Sequence, residues 1–298
     1  MSVALRKLLP GQTCQVWTAS PTGEDPVKRF ETSLCRLEAP NWLSSGDALV
    51  LNGDGLLWRL SLSEERQLDA IEVTGAPQLN NDHVLDPDGE YIYLSAYDRQ
   101  IYRAPVRGGA AELITKDPSV QVLHYLHGVH PRGDRLAFIG LQPAGGDGPA
   151  QADVFTMSVD GGDYRRLTSG PGNSDGCEYS SDGNWIYFNT ELFDGHAQIA
   201  RMRPDGSGLE QLTSDDCVNW FPHISPDGKW VTYMAFPPGT QGHPSNVWVD
   251  MKLVALDDWS TVTTVDRLFG GQGTFNAPSW APDSSAFAYV SYPIEPTR

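Results

Sequence analysis

Six times along this chain an apolar residue is followed, four positions later, by the end of a tight turn and then by an apolar strand. The six instances read Trp42-Leu-Ser-Ser-Gly46, Leu85-Asp-Pro-Asp-Gly89, Val129-His-Pro-Arg-Gly133, Tyr179-Ser-Ser-Asp-Gly183, Ile224-Ser-Pro-Asp-Gly228 and Trp280-Ala-Pro-Asp-Ser284. Successive motifs lie 43, 44, 50, 45 and 56 residues apart. Pro presets φ, Asp bonds to the backbone ahead and Gly accepts positive φ, so each motif suits a hairpin turn. Strand sequences follow the turns, as in Tyr91-Ile-Tyr-Leu94, Trp185-Ile-Tyr-Phe188 and Trp230-Val-Thr-Tyr233. A third strand (Ile101-Tyr-Arg-Ala104, Val154-Phe-Thr-Met157, Ile199-Ala-Arg-Met202), a Gly-rich turn and a fourth strand ending in Leu-Thr or similar complete the unit. Four antiparallel strands in each repeat of ~40–50 residues describe a propeller blade.

The sixth repeat stops after two strands. Near the N-terminus Gln15-Val-Trp-Thr18 and Val27-Lys-Arg-Phe30 supply the missing pair, which closes the ring and removes an exposed sheet edge. The expected fold is therefore all-β, a six-bladed β-propeller forming one domain over 1–298. Its blades fall at about 39–70, 80–115, 124–168, 175–213, 219–268 and 276–292, the last completed by 12–32.

Composition narrows the partners. Thirty-eight acidic residues against 21 basic ones leave a formal charge of −17, which repels a phosphate backbone and an anionic membrane face. Nucleic acid is thus not an expected partner. No apolar run approaches the ~20 residues of a membrane-spanning helix, so membrane insertion is not expected. Residues 1–10 hold no apolar stretch long enough for a signal-peptide core; the compartment expected is cytoplasmic as the chain stands, periplasmic if its N-terminus has been trimmed. Cys14, Cys35, Cys177 and Cys217 form no CxxC pair, which predicts free thiols. Neither a GxSxG elbow, a phosphate-cradling loop ending in Gly-Lys-Ser/Thr nor an HExxH helix is present. The Gly-rich stretch 145–148 lacks the lysine of a phosphate cradle.

With its W-S-P-D-G-type repeat over residues 11–292, the chain resembles the TolB-type β-propeller family. That resemblance implies a docking role, with the channel mouth capturing a peptide or partner protein of a Tol-like transport or envelope system. The chain is more distantly similar to the oligogalacturonate lyases, propellers that hold a divalent metal at the central mouth.

Aligning the motifs by their final residue exposes where the repeats break pattern. Four positions before it every residue is apolar, an expected interblade core. Six before it stand Pro40, His83, His127, Cys177, Pro222 and Pro278; five before it, Asn41, Val84, Gly128, Glu178, His223 and Ser279. Inner strands enter from one mouth of the central channel, so these positions, with the loops between second and third strands, are expected to converge there. His83, His127, His223 and His243 are candidate ligands for a divalent metal such as Mn, Ni, Zn or Fe, the alternative being no cofactor. His127, Glu178 and His223 are candidate proton-transfer groups for metal-assisted lyase or hydrolase chemistry. Asn80, Asp82, His83, Asp175, Trp220, Gln272 and Asn276 are candidate contacts to a small polar ligand of the sugar or uronate class. His124 and His130 are expected to be structural.

Overall fold

The computed structural model describes residues 5–63, 65–117, 121–142 and 150–294; the Gly-rich stretch 145–148 lies outside them. Among these residues there are strands and turns but no helix, and hence no helix able to cross a membrane. Five sheets each contain four antiparallel strands in sequence order. Their inner strands are Leu37–Trp42, Leu79–Leu85, Leu123–Val129, Ser174–Tyr179 and Val218–Ile224. The sixth sheet joins Phe287–Ser291 to Cys14–Ala19 and then Val27–Thr32. Gln15 pairs with Ser291 and Ala19 with Phe287, so the two ends of the chain close the ring. The innermost position of that blade is filled less regularly: the carbonyls of Thr274 and Ser279 accept from the Val290 and Ala288 amides.

The turn chemistry explains the motif. Gly46, Gly89, Gly133, Gly183 and Gly228 all have φ between 69° and 75°, and Ser284 takes the same left-handed conformation at 63°. Space matters as well: a Cβ on Gly183 would lie 2.5 Å from Nε2 of His130 in the turn of the preceding blade. His130 itself accepts from the Arg132 amide through Nδ1 (3.1 Å), a turn-forming role.

Outer strands in blades two to four are only two residues long, and the Leu-Thr ending makes up the difference. Thr115, Thr168 and Thr213 accept the amides of Ile101, Val154 and Ile199 through Oγ1 at 2.9–3.0 Å. Each hydroxyl then donates to Gln100, Asp153 or Gln198. A side-chain oxygen thus replaces the missing ladder carbonyl, and these three buried amides keep an acceptor.

Apolar residues gather into six clusters, one at each junction between neighbouring blades. The apolar residue of each motif enters a different one: Trp42, Leu85, Val129, Tyr179, Ile224 and Trp280. Hydrophobic burial therefore lies between blades and leaves the axis to polar groups.

Candidate functional site

All five regular inner strands lose register with their neighbour at the same level. In blades one, four and five two residues face one: Ala39-Pro40, Gly176-Cys177 and Phe221-Pro222. In blade three His127 is itself the extra residue. In blade two the irregularity is wider, with Asn80, Asn81 and Asp82 set against the single Ser95. Ala39, Gly176 and Phe221 take positive φ (54°, 61° and 55°) to make the bend, a costly conformation for a bulky Phe. Bulges re-aim side chains out of the regular alternation, and here they turn them to the axis.

The result is a cavity of about 390 Å³ at the channel mouth. Asn80, Asn81 and Asp82 line it from blade two, His127 from blade three, Asp175 from blade four and Phe221 from blade five. Tyr97 and Arg99, Tyr125, His243, Gln272 and Asn276 add polar and aromatic groups, Ile139, Leu141 and Ala152 form an apolar part of the wall, and Arg6 reaches in from the N-terminal segment.

At its centre Nε2 of His127 lies 3.1 Å from Oδ1 of Asp175, and the ring is also hydrogen-bonded to the Asn276 carbonyl. Neither a carboxylate nor a carbonyl can donate, so both contacts favour the protonated ring. Burial works against that charge, but the Asp175 hydrogen bond and the charges of Asp82 and Asp175 outweigh it and raise the His127 pKa. For Asp175 burial is likewise overturned, by His127 first, and its pKa falls below the usual carboxylate range. Asp82 is different: burial, reinforced by Asp175, pushes it up to about 6 against the opposing pull of His127, Arg6 and Asn80. Burial, with the charges of His127 and Arg6 and against the opposing pull of Asp175, lowers the His243 pKa. Its ring packs on Trp220 (4.2 Å between centroids) and edge-on to Phe221 (5.4 Å).

Of the residues singled out in the sequence, Asn80, Asp82, His127, Asp175, His243, Gln272 and Asn276 line the cavity. His83, Glu178, His223 and Trp220 are placed in the walls behind it. His83 sits one position beyond the wide bulge, paired with Leu94, and a one-residue shift turns a strand side chain to the other face. It donates from Nδ1 to Asn52 (2.5 Å), and burial lowers its pKa to about 3. His223 bridges three blades, with Nδ1 2.6 Å from Glu178 and Nε2 2.9 Å from the Phe275 carbonyl. Glu178 also accepts the Ile224 amide at 3.0 Å. Trp220 supports His243 from behind.

The four histidines proposed as metal ligands are consequently not assembled: among the described residues no group of three or more His, Cys, Asp or Glu is placed to hold a metal ion. This donor set does not fit a divalent cation. The cavity also takes in Arg6, Tyr97, Arg99 and Tyr125, which the alignment passed over. Tyr97 and Arg99 had a usable signal, since they occupy a loop between second and third strands.

No family model matches the chain. It is 40% identical over 264 residues to the uncharacterized protein Atu1656 of Agrobacterium fabrum, covering 87% of this chain and 86% of that one. A solved structure from Agrobacterium tumefaciens, provisionally named TolB, is 36% identical with a TM-score of 0.87, over 96% of this chain and 99% of that one. TolB from Acinetobacter baumannii shares the fold at TM-score 0.63 and 17% identity, over 88% and 65% of the two chains. An oligogalacturonate lyase in complex with manganese shares it at TM-score 0.58 and 12% identity, over 95% and 98%.

Proposed function

The chain belongs to the TolB-type six-bladed β-propeller family, and from that premise we propose that it is a binding protein whose channel mouth receives a small polar ligand of the sugar or uronate class. The observation that carries this reading is the set of inner-strand bulges, which turn polar side chains from several blades into one cavity. A propeller needs none of them for its core, which lies between the blades. The cavity's size falls within the ~300–1,000 Å³ of small-ligand sites. Phe221, Tyr97 and Tyr125 offer ring faces, and amides and carboxylates offer partners for hydroxyls. His127 and Asp175 orient the site: each fixes the other's charge, and Gly176 fixes Asp175 through a 2.7 Å hydrogen bond.

Ligand-observed NMR against mono- and disaccharides, neutral and acidic, tests the reading. Binding that weakens in Asp175→Asn and His127→Gln supports it. A hit indifferent to both substitutions would move the site away from the mouth.

A second reading is favoured by the likeness to TolB. Here the same mouth captures an extended segment of a partner protein, and a saccharide that binds there would compete with it.

A further inference from the structure

Cations around the mouth are unequally committed. Glu38 holds Arg6 through two hydrogen bonds (2.7 and 2.9 Å) and also pairs with Arg36. Asp175 holds His127. Arg99, by contrast, makes no ion pair among the described residues; its guanidinium lies 5.5 Å from the centre of the Tyr125 ring and is hydrogen-bonded to that phenol. Its backbone is fixed in a tight turn at φ 70°, where its amide donates to Ala96 and its carbonyl accepts from His124. A guanidinium in a cavity wall, on a fixed backbone and with no carboxylate partner among the described residues, is an anion anchor.

A second, independent observation points to the same ligand. Asn81 is 2% exposed and is one of the residues lining the cavity, and its buried Nδ2 has no acceptor among the described residues. An unpaired buried donor is costly, and a rotation of the amide into the cavity onto a ligand acceptor would relieve it. Its neighbour Asp82 accepts from Asn80 on Oδ2 (2.8 Å), and among the described residues no donor is placed on Oδ1, which leaves it for a ligand donor. Asp82 and Asp175 in one cavity also limit the negative charge that can enter: one charge meets Arg99, and a second would face two carboxylates.

Resting on the mouth-site reading, we infer that the ligand is a hydroxylated monocarboxylate, its carboxylate seated on Arg99 and Asn81 and a hydroxyl on Asp82. A neutral sugar would leave Arg99 and Asn81 unanswered, and a phosphate ester would carry excess charge.

The test uses two matched series, glucose with glucuronate and glucose 6-phosphate, and galactose with galacturonate and galactose 6-phosphate. Members of a series differ only at the sixth carbon. Titration of the wild type is expected to show a uronate bound ~10-fold or more tighter than its neutral partner, the scale of one charge-assisted hydrogen bond. Arg99→Gln is expected to erase that preference with the thermal midpoint unchanged; Asn81→Ala, expected to reduce it, serves if Arg99→Gln does not fold. Neutral sugars binding as tightly as uronates would overturn the inference and leave the mouth-site reading intact. Phosphates binding tighter than uronates would overturn the single-charge assignment. Binding by no member of either series would overturn the inference and that reading together.

Discussion

The Glu178–His223 pair decides between a chemical and a structural role, and its geometry gives sizes to test. Both side chains are buried. Nε2 of His223 lies 2.9 Å from the Phe275 carbonyl, and its Nδ1 lies 2.6 Å from Oε2 of Glu178. Truncating Glu178 to Ala strands that nitrogen and the Ile224 amide; truncating His223 to Ala strands the carboxylate and the Phe275 carbonyl. Each is expected to cost about 3–5 kcal/mol, the usual penalty for breaking a buried pair. The double variant should cost less than the two added together, by ~2 kcal/mol, because the partners share one network. Glu178→Gln retains an oxygen for Ile224 and an N–H for a neutral His223, so its loss should stay near 1 kcal/mol. Urea unfolding followed by tryptophan fluorescence reads these differences, since Trp280 donates to the His223 carbonyl at 3.0 Å. Strict additivity, or alanine variants as stable as the wild type, would refute the strut. Ligand binding lost at unchanged stability would return both residues to the chemistry assigned from sequence.

Asp82 predicts a pH dependence. Its carboxyl titrates at about 6 in the folded chain and near 3.9 when unfolded, so the folded state holds the proton more tightly. Its contribution is fully present below pH ~4 and lost as pH climbs through about 6. Asp82→Asn, still able to accept from Asn80 and still facing His127, Asp175 and Arg6, should flatten that slope and stabilise the protein at pH 7 by ~2 kcal/mol; an unchanged slope by pH-resolved urea titration would contradict the assignment. Thr213→Val removes the acceptor of the Ile199 amide and should cost about 1–3 kcal/mol, with Ile199 exchanging faster by amide hydrogen exchange; Thr213→Ser should recover most of the loss. Dialysis against a chelator is expected to leave the thermal midpoint unchanged. A fall reversed by manganese or zinc would reveal a donor set this fold does not display.

The sequence by itself determined the blade count, the closure of the ring by its two ends and the apolar column between blades. These rest on chemistry confined to a few consecutive residues: Gly or Ser284 where φ must be positive, Thr where an outer strand ends early, an apolar side chain four positions before each turn. Strand alternation carries such information along a single chain. Tertiary structure decided which polar residues meet. His83 and His127 occupy the same column of the repeat, yet one is locked to Asn52 and the other faces the axis, because blade two bulges over Asn80–Asp82 and blade three at His127 itself. A bulge exists only relative to the strand beside it, and one extra residue exchanges the two faces. Glu178 and His223, 45 positions apart, likewise meet only because their blades are neighbours. Arg99 is proposed as an anchor because Tyr125 of the next blade lies beside it and no carboxylate among the described residues pairs with it.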